Sequence, residues 1–339
     1  MGFDAPGFWW RPAGWEAAAL APAAAIYGAI AGSRLANAPR ETIGAPVLCV
    51  GNLTVGGSGK TPVAIALARQ ARAMGLKPGF LSRGHGGNAA APQIVEPGRD
   101  DARAVGDEPL LLAAHAPVAV SPDRAAAARL LVARGCDFIV MDDGFQSARI
   151  RFDHALLVVD ARHGVGNGRV LPAGPLRAAM ADQLRYADAV LSMGEGPGAD
   201  EIVAAAARTG KPVFSAALEP LDAGRFAGRR VLAFAGIGHP DKFFDTLRAA
   251  GADVAVARRF PDHHFYTQAE LRELVSAARA QDLALATTAK DAARLGGDAA
   301  LQEIRAGIEV LEVDAVFTPA QATTTIVEAA VRAWSARAT

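Results

Sequence analysis

The sequence predicts an α/β fold. It reads as a three-layer α/β/α domain built around a phosphate-binding loop, a second and smaller α/β domain, and an apolar amino-terminal helix. Three observations predict it. Short apolar runs alternate with helical stretches along most of the chain, as in parallel sheets covered on both faces. A glycine-rich turn ending in Gly59-Lys60-Thr61 joins the first of those runs to a helix. The first 40 residues carry three tryptophans and a long uncharged run.

Bulk composition narrows the function. A length of 339 residues fits two domains, at roughly 100–200 residues each. With 51% hydrophobic and 21% charged residues, the chain can bury a sizeable core and is not globally disordered. Lys plus Arg and Asp plus Glu both number 35, so formal net charge is zero. That argues against a dedicated nucleic-acid binder, which would show a basic excess. Cys49 and Cys136 lie in apolar runs and form no C-x-x-C, which reads as buried thiols in a reducing compartment.

The amino terminus carries Trp9, Trp10 and Trp15, an uncharged run from Ala17 to Ser33, then Arg34 and Arg40. The run is at the short limit for a spanning helix, rich in alanine, with Pro22 inside it. Asp4, Arg11 and Glu16 precede it and leave no basic excess, unlike a signal peptide. Two readings fit. One is a helix in the membrane interface, with tryptophans at headgroup depth and arginines reaching phosphates. The other is a buried helix packed on the first domain. Composition alone admits both.

The runs at 46–51, 78–82, 116–121, 138–143 and 155–161 read as strands, and 61–75 and 122–135 as helices between them. Ligands then bind at the carboxyl ends of the strands. A second set follows: strand 229–238, helix 241–251, strand 253–260, helix 267–281 and strand 283–291. Residues 219–230, polar and glycine-bearing, are the connection. The run 307–317 and the helix after Pro319 close one unit or the other. This divides the chain into an amino-terminal helix region (1–40), a nucleotide-binding domain (41–222), a smaller α/β domain (223–306) and a closing strand and helix (307–339).

The loop lies within "VGNLTVGGSGKTP", Val50 to Pro62. Backbone N–H groups of Gly56, Gly57, Ser58 and Gly59 can point at an anion, because glycine tolerates the backbone angles this needs. The helix N-terminus adds a favourable field. Lys60 reaches the outer phosphates and Thr61 can ligate Mg²⁺. The usual pattern has glycine at the loop's first position, where this chain has Thr54, so the predicted nucleotide contacts are Thr54 and Gly56 to Thr61. Such a site also needs a carboxylate at a nearby strand end for the metal. "FIVMDDGFQ" supplies Asp142 and Asp143, although Asp-Asp-Gly also makes a good turn. The loop alone admits a kinase, a GTPase or a partner-switching ATPase. The GTPase signature Asn-Lys-x-Asp is missing from "TTAKD", where Lys290 directly precedes Asp291. The extra lysine that dimerising ATPases carry ahead of the glycines is also missing, since Thr54 and Val55 stand there.

Blocks along nearly the whole chain resemble one family. "GNLTVGGSGKTP" (51–62), "LSRGHGG" (81–87), "VGDEP" (105–109), "SPDR" (121–124), "DDGFQ" (142–146), "GNGRVLPAGPLR" (166–177), "AGIGHPDKFF" (235–244), "PDHHFYT" (261–267) and "TTAKD" (287–291) occur in the order found in tetraacyldisaccharide 4'-kinases. These enzymes phosphorylate the lipid A precursor. The resemblance implies ATP and Mg²⁺, a lipid A disaccharide 1-phosphate acceptor, two α/β domains with a cleft between them, and an amino-terminal helix associated with the cytoplasmic face of the inner membrane. It puts the catalytic base on Asp107 and its histidine partner on His263. Without it, Asp107 reads as the N-cap of a helix starting at Glu108-Pro109. His263 and His264 alone suggest metal ligands, but Mg²⁺ prefers oxygen and no third ligand is spaced nearby. Arg83, at a strand end before a glycine turn, can face an anionic substrate group, against a surface role after the turn. The same resemblance places Arg124 at phosphate or substrate, against a salt bridge on its helix, and Gln146 and Asp143 near substrate. Four positions depart from the family: Ser147 for His, Ala178 for Glu, His85 for the frequent Tyr and Ala289 for the frequent Glu. A membrane-associated ATPase that switches a protein partner is the competing function.

Overall fold

The apolar runs pair into two sheets in the computed structural model, which describes residues 5–146, 149–296 and 299–338. Asp4 and Ser147 lie outside the described residues. A 3-10 turn, Gly7–Trp10, leads to α1, Trp15–Asn37. β1, Val47–Asn52, enters the glycine loop and α2, Lys60–Ala73, leaves it. β2 (Pro78–Ser82), β3 (Gln93–Ile94), α3 (Ala102–Val105), α4 (Asp107–Ala113) and β4 (Val118–Val120) follow. Next come α5 (Arg124–Ala133), β5 (Phe138–Asp142), β6 (His154–Asp160), α6 (Met180–Tyr186), β7 (Ala189–Met193), α7 (Asp200–Arg208) and β8 (Val213–Pro220).

The smaller sheet begins with β9 (Arg230–Ala235) and continues through α8 (Pro240–Ala249), β10 (Asp253–Arg259), α9 (Gln268–Ala280) and β11 (Ala284–Thr288). α10 (Ala289–Arg294), α11 (Ala299–Arg305) and β12 (Ile308–Leu311) complete it. β13 (Val313–Thr318) and α12 (Ala322–Ala338) then return to the large sheet.

The large sheet has the order β13-β8-β7-β6-β1-β5-β2-β4-β3. Its pairings are parallel except the two outermost, β13 with β8 and β3 with β4. β1 is buried along its whole length, as a central parallel strand must be. One face packs on α2, α4 and α12, the other on α5, α6 and α7. The smaller sheet, order β10-β9-β11-β12, is parallel throughout. Phe243, Phe244 and Leu247 of α8 cover one side, and Leu271 and Leu274 of α9 the other.

The run 307–317 is not one strand. It divides at Glu312, so that β12 closes the smaller sheet and β13 pairs with β8. The chain therefore crosses between the sheets twice, once after β8 and once at Glu312.

α1 continues through Pro22, which is exposed. Its packed residues, Ala17, Ala24 and Leu35, share one side at roughly 100° per residue. Trp15, Ile26 and Ile30 fall on the opposite side and are 78%, 66% and 50% exposed. Among the described residues, α1 is the helix long and apolar enough to cross a membrane.

Candidate active site

β5, β1 and β6 are neighbours, so their carboxyl ends open side by side beneath the loop. Two loop glycines need their type for conformation: Gly56 has φ +107° and Gly59, at the cap of α2, has φ +81°. Thr54 has no such requirement. It forms an isolated antiparallel bridge to Leu176, and the Val55 N–H donates to the Pro175 carbonyl at 2.9 Å. The segment 169–177 thus pins the loop's first position in an extended conformation that a β-branched residue adopts readily.

A set of buried polar groups lies inside the loop. Lys60 and Thr61 are buried at the start of α2. Thr61 Oγ1 donates to Asp142 Oδ2 at 3.2 Å. Asp142 Oδ1, Ser58 Oγ and Asn52 Oδ1 are buried without hydrogen-bond partners. Buried polar atoms are ordinarily satisfied, so these three could bond a bound group. A hydroxyl beside a carboxylate with a free oxygen is the hard-oxygen donor set Mg²⁺ takes, and the residues fit that ion. Burial, with Glu108 and Asp143 nearby, pushes Asp142 up to about 7.

Asp143 is engaged differently. Its backbone is left-handed, φ +52°, and it accepts from Arg177 Nη1 at 2.8 Å and Nη2 at 3.2 Å. Lys60 Nζ lies 3.8 Å from its Oδ1. Burial alone would raise this carboxylate, but Lys60 and Arg177 outweigh it and hold it well below the usual range. Arg177 Nε also donates to the Thr54 carbonyl at 3.1 Å. One guanidinium therefore braces the loop and the second aspartate together. Arg177 was visible only as the last residue of "GNGRVLPAGPLR", with nothing in the sequence to give it this partner.

Asp107 opens α4, with Gly106 at the cap position. Gly106 has φ +92°, and a Cβ there would come within 2.6 Å of the His85 carbonyl oxygen. The turn of "LSRGHGG" thus packs directly on the backbone that presents Asp107. Asp107 is 3% exposed and its Oδ1 accepts the Glu108 N–H at 2.9 Å. His263 Nδ1 approaches its Oδ2 at 3.4 Å. His263 sits in the loop after β10 with φ +57°, a second non-glycine left-handed residue at the site. Its ring meets that of His85 edge-on, with centroids 5.4 Å apart. The hydrogen bond that His263 donates to Asp107 raises the His263 pKa against the opposing effect of burial. Burial would raise Asp107, but His263 and Arg294 hold it well below the usual range. His264 is separate: it bonds Glu270 and stacks on Phe260.

Residues to which the sequence assigns no part in this contact complete it between the two units. Arg294 donates to Asp107, and Lys290 pairs with Glu108 at 2.5 Å. Asp291, fully buried, accepts from the Gly236 N–H, Tyr266 and Arg294, tying the loop after β9 to α10. Lys290 and Asp291 lie in "TTAKD", whereas Arg294, one turn further on, had no signal.

The candidate substrate residues fall in three settings. Arg124 is 3% exposed at the start of α5, with its Nε unpartnered. Burial, with Arg83 alongside, lowers it to about 10. Arg83 is exposed at the end of β2. Gln146 is bound into the protein, donating to the Asn52 carbonyl at 2.8 Å and to Gln183 Oε1 at 2.9 Å. Ala178 is fully buried and Ala289 begins α10.

The family model described as Tetraacyldisaccharide-1-P 4'-kinase matches residues 16–332 of this chain. The chain is 59% identical over 338 residues to the tetraacyldisaccharide 4'-kinase of Mesorhizobium japonicum, covering 99% of each. It is 53% identical over 338 residues to that of Brucella canis, again covering 99% of each. Among solved structures it is similar to LpxK from Aquifex aeolicus in complex with ATP, with TM-score 0.72 and 26% identity. That match covers 94% of this chain and 99% of the other.

Proposed function

The chain belongs to the tetraacyldisaccharide-1-phosphate 4'-kinase family, and on that premise we propose how its residues carry the reaction. It is an ATP-dependent kinase that phosphorylates the 4'-hydroxyl of the tetraacyldisaccharide 1-phosphate precursor in lipid A biosynthesis. The observation that carries the proposed mechanism is the Asp107–His263 contact, made across the two units beside the phosphate loop.

Backbone N–H groups of Gly56 to Gly59 and the Lys60 ammonium hold the ATP phosphates. Thr61 Oγ1 and Asp142 would hold Mg²⁺, with Asp143 beside them; the ion, when bound, neutralises charge on the transferring group. Asp107 and His263 act as one acid–base unit that receives the proton of the attacking hydroxyl. Their pKa values belong to the pair. Arg177 keeps Asp143 ionised and the loop in register. Arg83 and Arg124 supply positive charge for anionic groups of substrate, and Gln146 supports the loop from below. Residues 41–222, with β13 and α12, provide the nucleotide side, and the unit built on β9 to β12 brings His263 to it.

The acceptor's acyl chains need a lipid surface. The exposed side of α1, Trp15, Ile26 and Ile30, supports docking at the cytoplasmic face of the inner membrane. Incubating the protein with labelled ATP and the lipid disaccharide tests the reading. A bis-phosphorylated lipid is expected; ATP hydrolysis stimulated by a protein partner, with no lipid product, overturns it.

A further inference from the structure

Trp10 touches both units where they meet over the phosphate loop. Its ring lies edge-on to His163, with centroids 5.3 Å apart, and to His239, 6.1 Å apart. The two imidazoles stack at 4.7 Å with 15° between planes. His163 follows β6 of the large sheet, and His239 precedes α8 of the smaller unit at its cap position. Beside them Lys242 of α8 donates to Asp160 Oδ2 at 2.6 Å, and His163 Nδ1 lies 2.8 Å from the same oxygen. The phosphate loop runs beneath: a Cβ on Gly56 would lie 3.7 Å from His239 Nε2. The smaller unit cannot swing off the loop without pulling His239 from Trp10 and His163, and Lys242 from Asp160.

Trp10 also belongs to the segment that leads into α1. Its neighbour Trp9 is a plug, 2% exposed, with Nε1 donating to the Pro172 carbonyl at 3.1 Å. The Trp9 carbonyl accepts from the Asn167 N–H at 2.7 Å. Beyond it, the first half of α1 is held by small residues, Ala17 and Ala24 against Ala173, while Leu35 anchors the far end in the main core. The alanine contacts bury little area and fix that half of the helix weakly. A lipid surface on the opposite face would fix it. Trp9 already fixes the start of the segment, so docking of α1 restricts the stretch that follows it without drawing Trp10 out of the clasp.

We propose that docking of α1 on a lipid surface and closure of the smaller unit over nucleotide are coupled through Trp10. The proposal rests on the membrane reading of α1 above. The two events order the same short segment, so whichever comes first reduces the entropic cost of the second. Linkage then makes the effect reciprocal: nucleotide tightens membrane binding, and membrane tightens nucleotide binding, by one factor.

The test uses the full chain, phosphatidylglycerol-containing vesicles and a non-hydrolysable ATP analogue with Mg²⁺. Vesicle partition is measured with and without analogue, and analogue affinity with and without vesicles. Each ligand is expected to tighten the other by the same factor, about 5-fold or more. Trp10→Ala should bind both ligands with that factor reduced to about one. His239→Ala breaks the clasp from the other unit and should give the same loss, so a defect confined to the amino terminus does not account for it. If the wild-type chain binds vesicles and the factor is one, the coupling is wrong and the membrane reading stands. If it does not bind vesicles, both fall. A factor that survives in both variants also rejects Trp10 as its carrier.

Discussion

Arg294 reaches across from the smaller unit and donates twice to one oxygen of Asp107, from Nε at 2.8 Å and from Nη2 at 2.5 Å. The side chains are 1% and 3% exposed. The carboxylate proposed to take the proton is thus also tied to the smaller unit. Halving a buried pair costs about 3–5 kcal/mol, whereas replacing both partners costs far less. Arg294→Met should therefore destabilise strongly, and adding Asp107→Asn should recover part of the stability and none of the turnover. Chemical denaturation of the two single variants and the double reads this coupling. Simply additive losses would mean the pair does not hold the units together.

Asp107→Asn alone separates chemistry from binding. Asn keeps the shape and an acceptor for Arg294 but is not a base. Turnover should fall by about 10²–10⁴-fold, the usual contribution of general base catalysis, with nucleotide affinity little changed. A near-wild-type kcat would leave Asp107 a structural residue at the start of α4.

The pair also sets a pH dependence. The His263 pKa is raised by its hydrogen bond to Asp107, so its stabilisation is full below about 6.5 and is lost as pH rises through the folded value. For Asp107, burial is outweighed by His263 and Arg294 and the pKa is depressed. That stabilisation is full above about 3.9 and is lost as pH falls through the folded value. Both contributions are complete between roughly pH 4 and 6.5. Thermal melts should show the wild-type chain's advantage over His263→Gln at pH 6 and a smaller advantage at pH 9. An advantage that grows with pH would reverse the sign.

How much of this was legible depended on whether the signal was local. The glycine loop, the runs around β1, β2, β5 and β6 and the Asp142-Asp143 pair follow from short-range chemistry, and the sequence displays them. Thr54 looked like a defect because its partner, Leu176, is far along the chain. The run 307–317 reads as one strand because hydrophobicity is continuous across Glu312, and only the presence of two sheets divides it. β7 and β8 went unread between helices and loops. Arg294 is one arginine among many until α10 is packed against α4. Asp107 and His263 were named through family blocks, since 156 positions of sequence carry no hint of a contact that three-dimensional closure makes.

Asp142 should show opposed effects on stability and activity. It is 2% exposed, with one oxygen unpartnered and Glu108 nearby. An unsatisfied buried polar group costs about 1–3 kcal/mol, more when charged. Asp142→Asn should raise the melting temperature of the ligand-free protein at pH 8 while lowering kcat and increasing the Mg²⁺ concentration needed for half-maximal rate. Unchanged Mg²⁺ dependence would move the metal to Asp143.

The amino-terminal helix needs a gentler probe than truncation. Deleting residues 1–33 would also remove Trp9, 2% exposed, and the packed Ala17 and Ala24, so a loss of membrane binding would be mixed with damage to the segment beneath. The exposed face can be changed alone. Trp15, Ile26 and Ile30 lie opposite the packed side, and surface substitutions usually stay within about 0.5 kcal/mol of neutral. The combination Trp15→Ser, Ile26→Ser and Ile30→Ser should therefore leave the melting temperature nearly unchanged. Each large apolar side chain contributes about 1.5–3 kcal/mol when fully buried. Partial insertion of three should weaken vesicle binding on the order of 10²–10³-fold. Flotation with phosphatidylglycerol-containing vesicles reads the loss. Lipid phosphorylation in detergent, where no surface has to be found, should fall much less. If the triple variant still floats, another surface carries the docking and α1 is an ordinary packed helix.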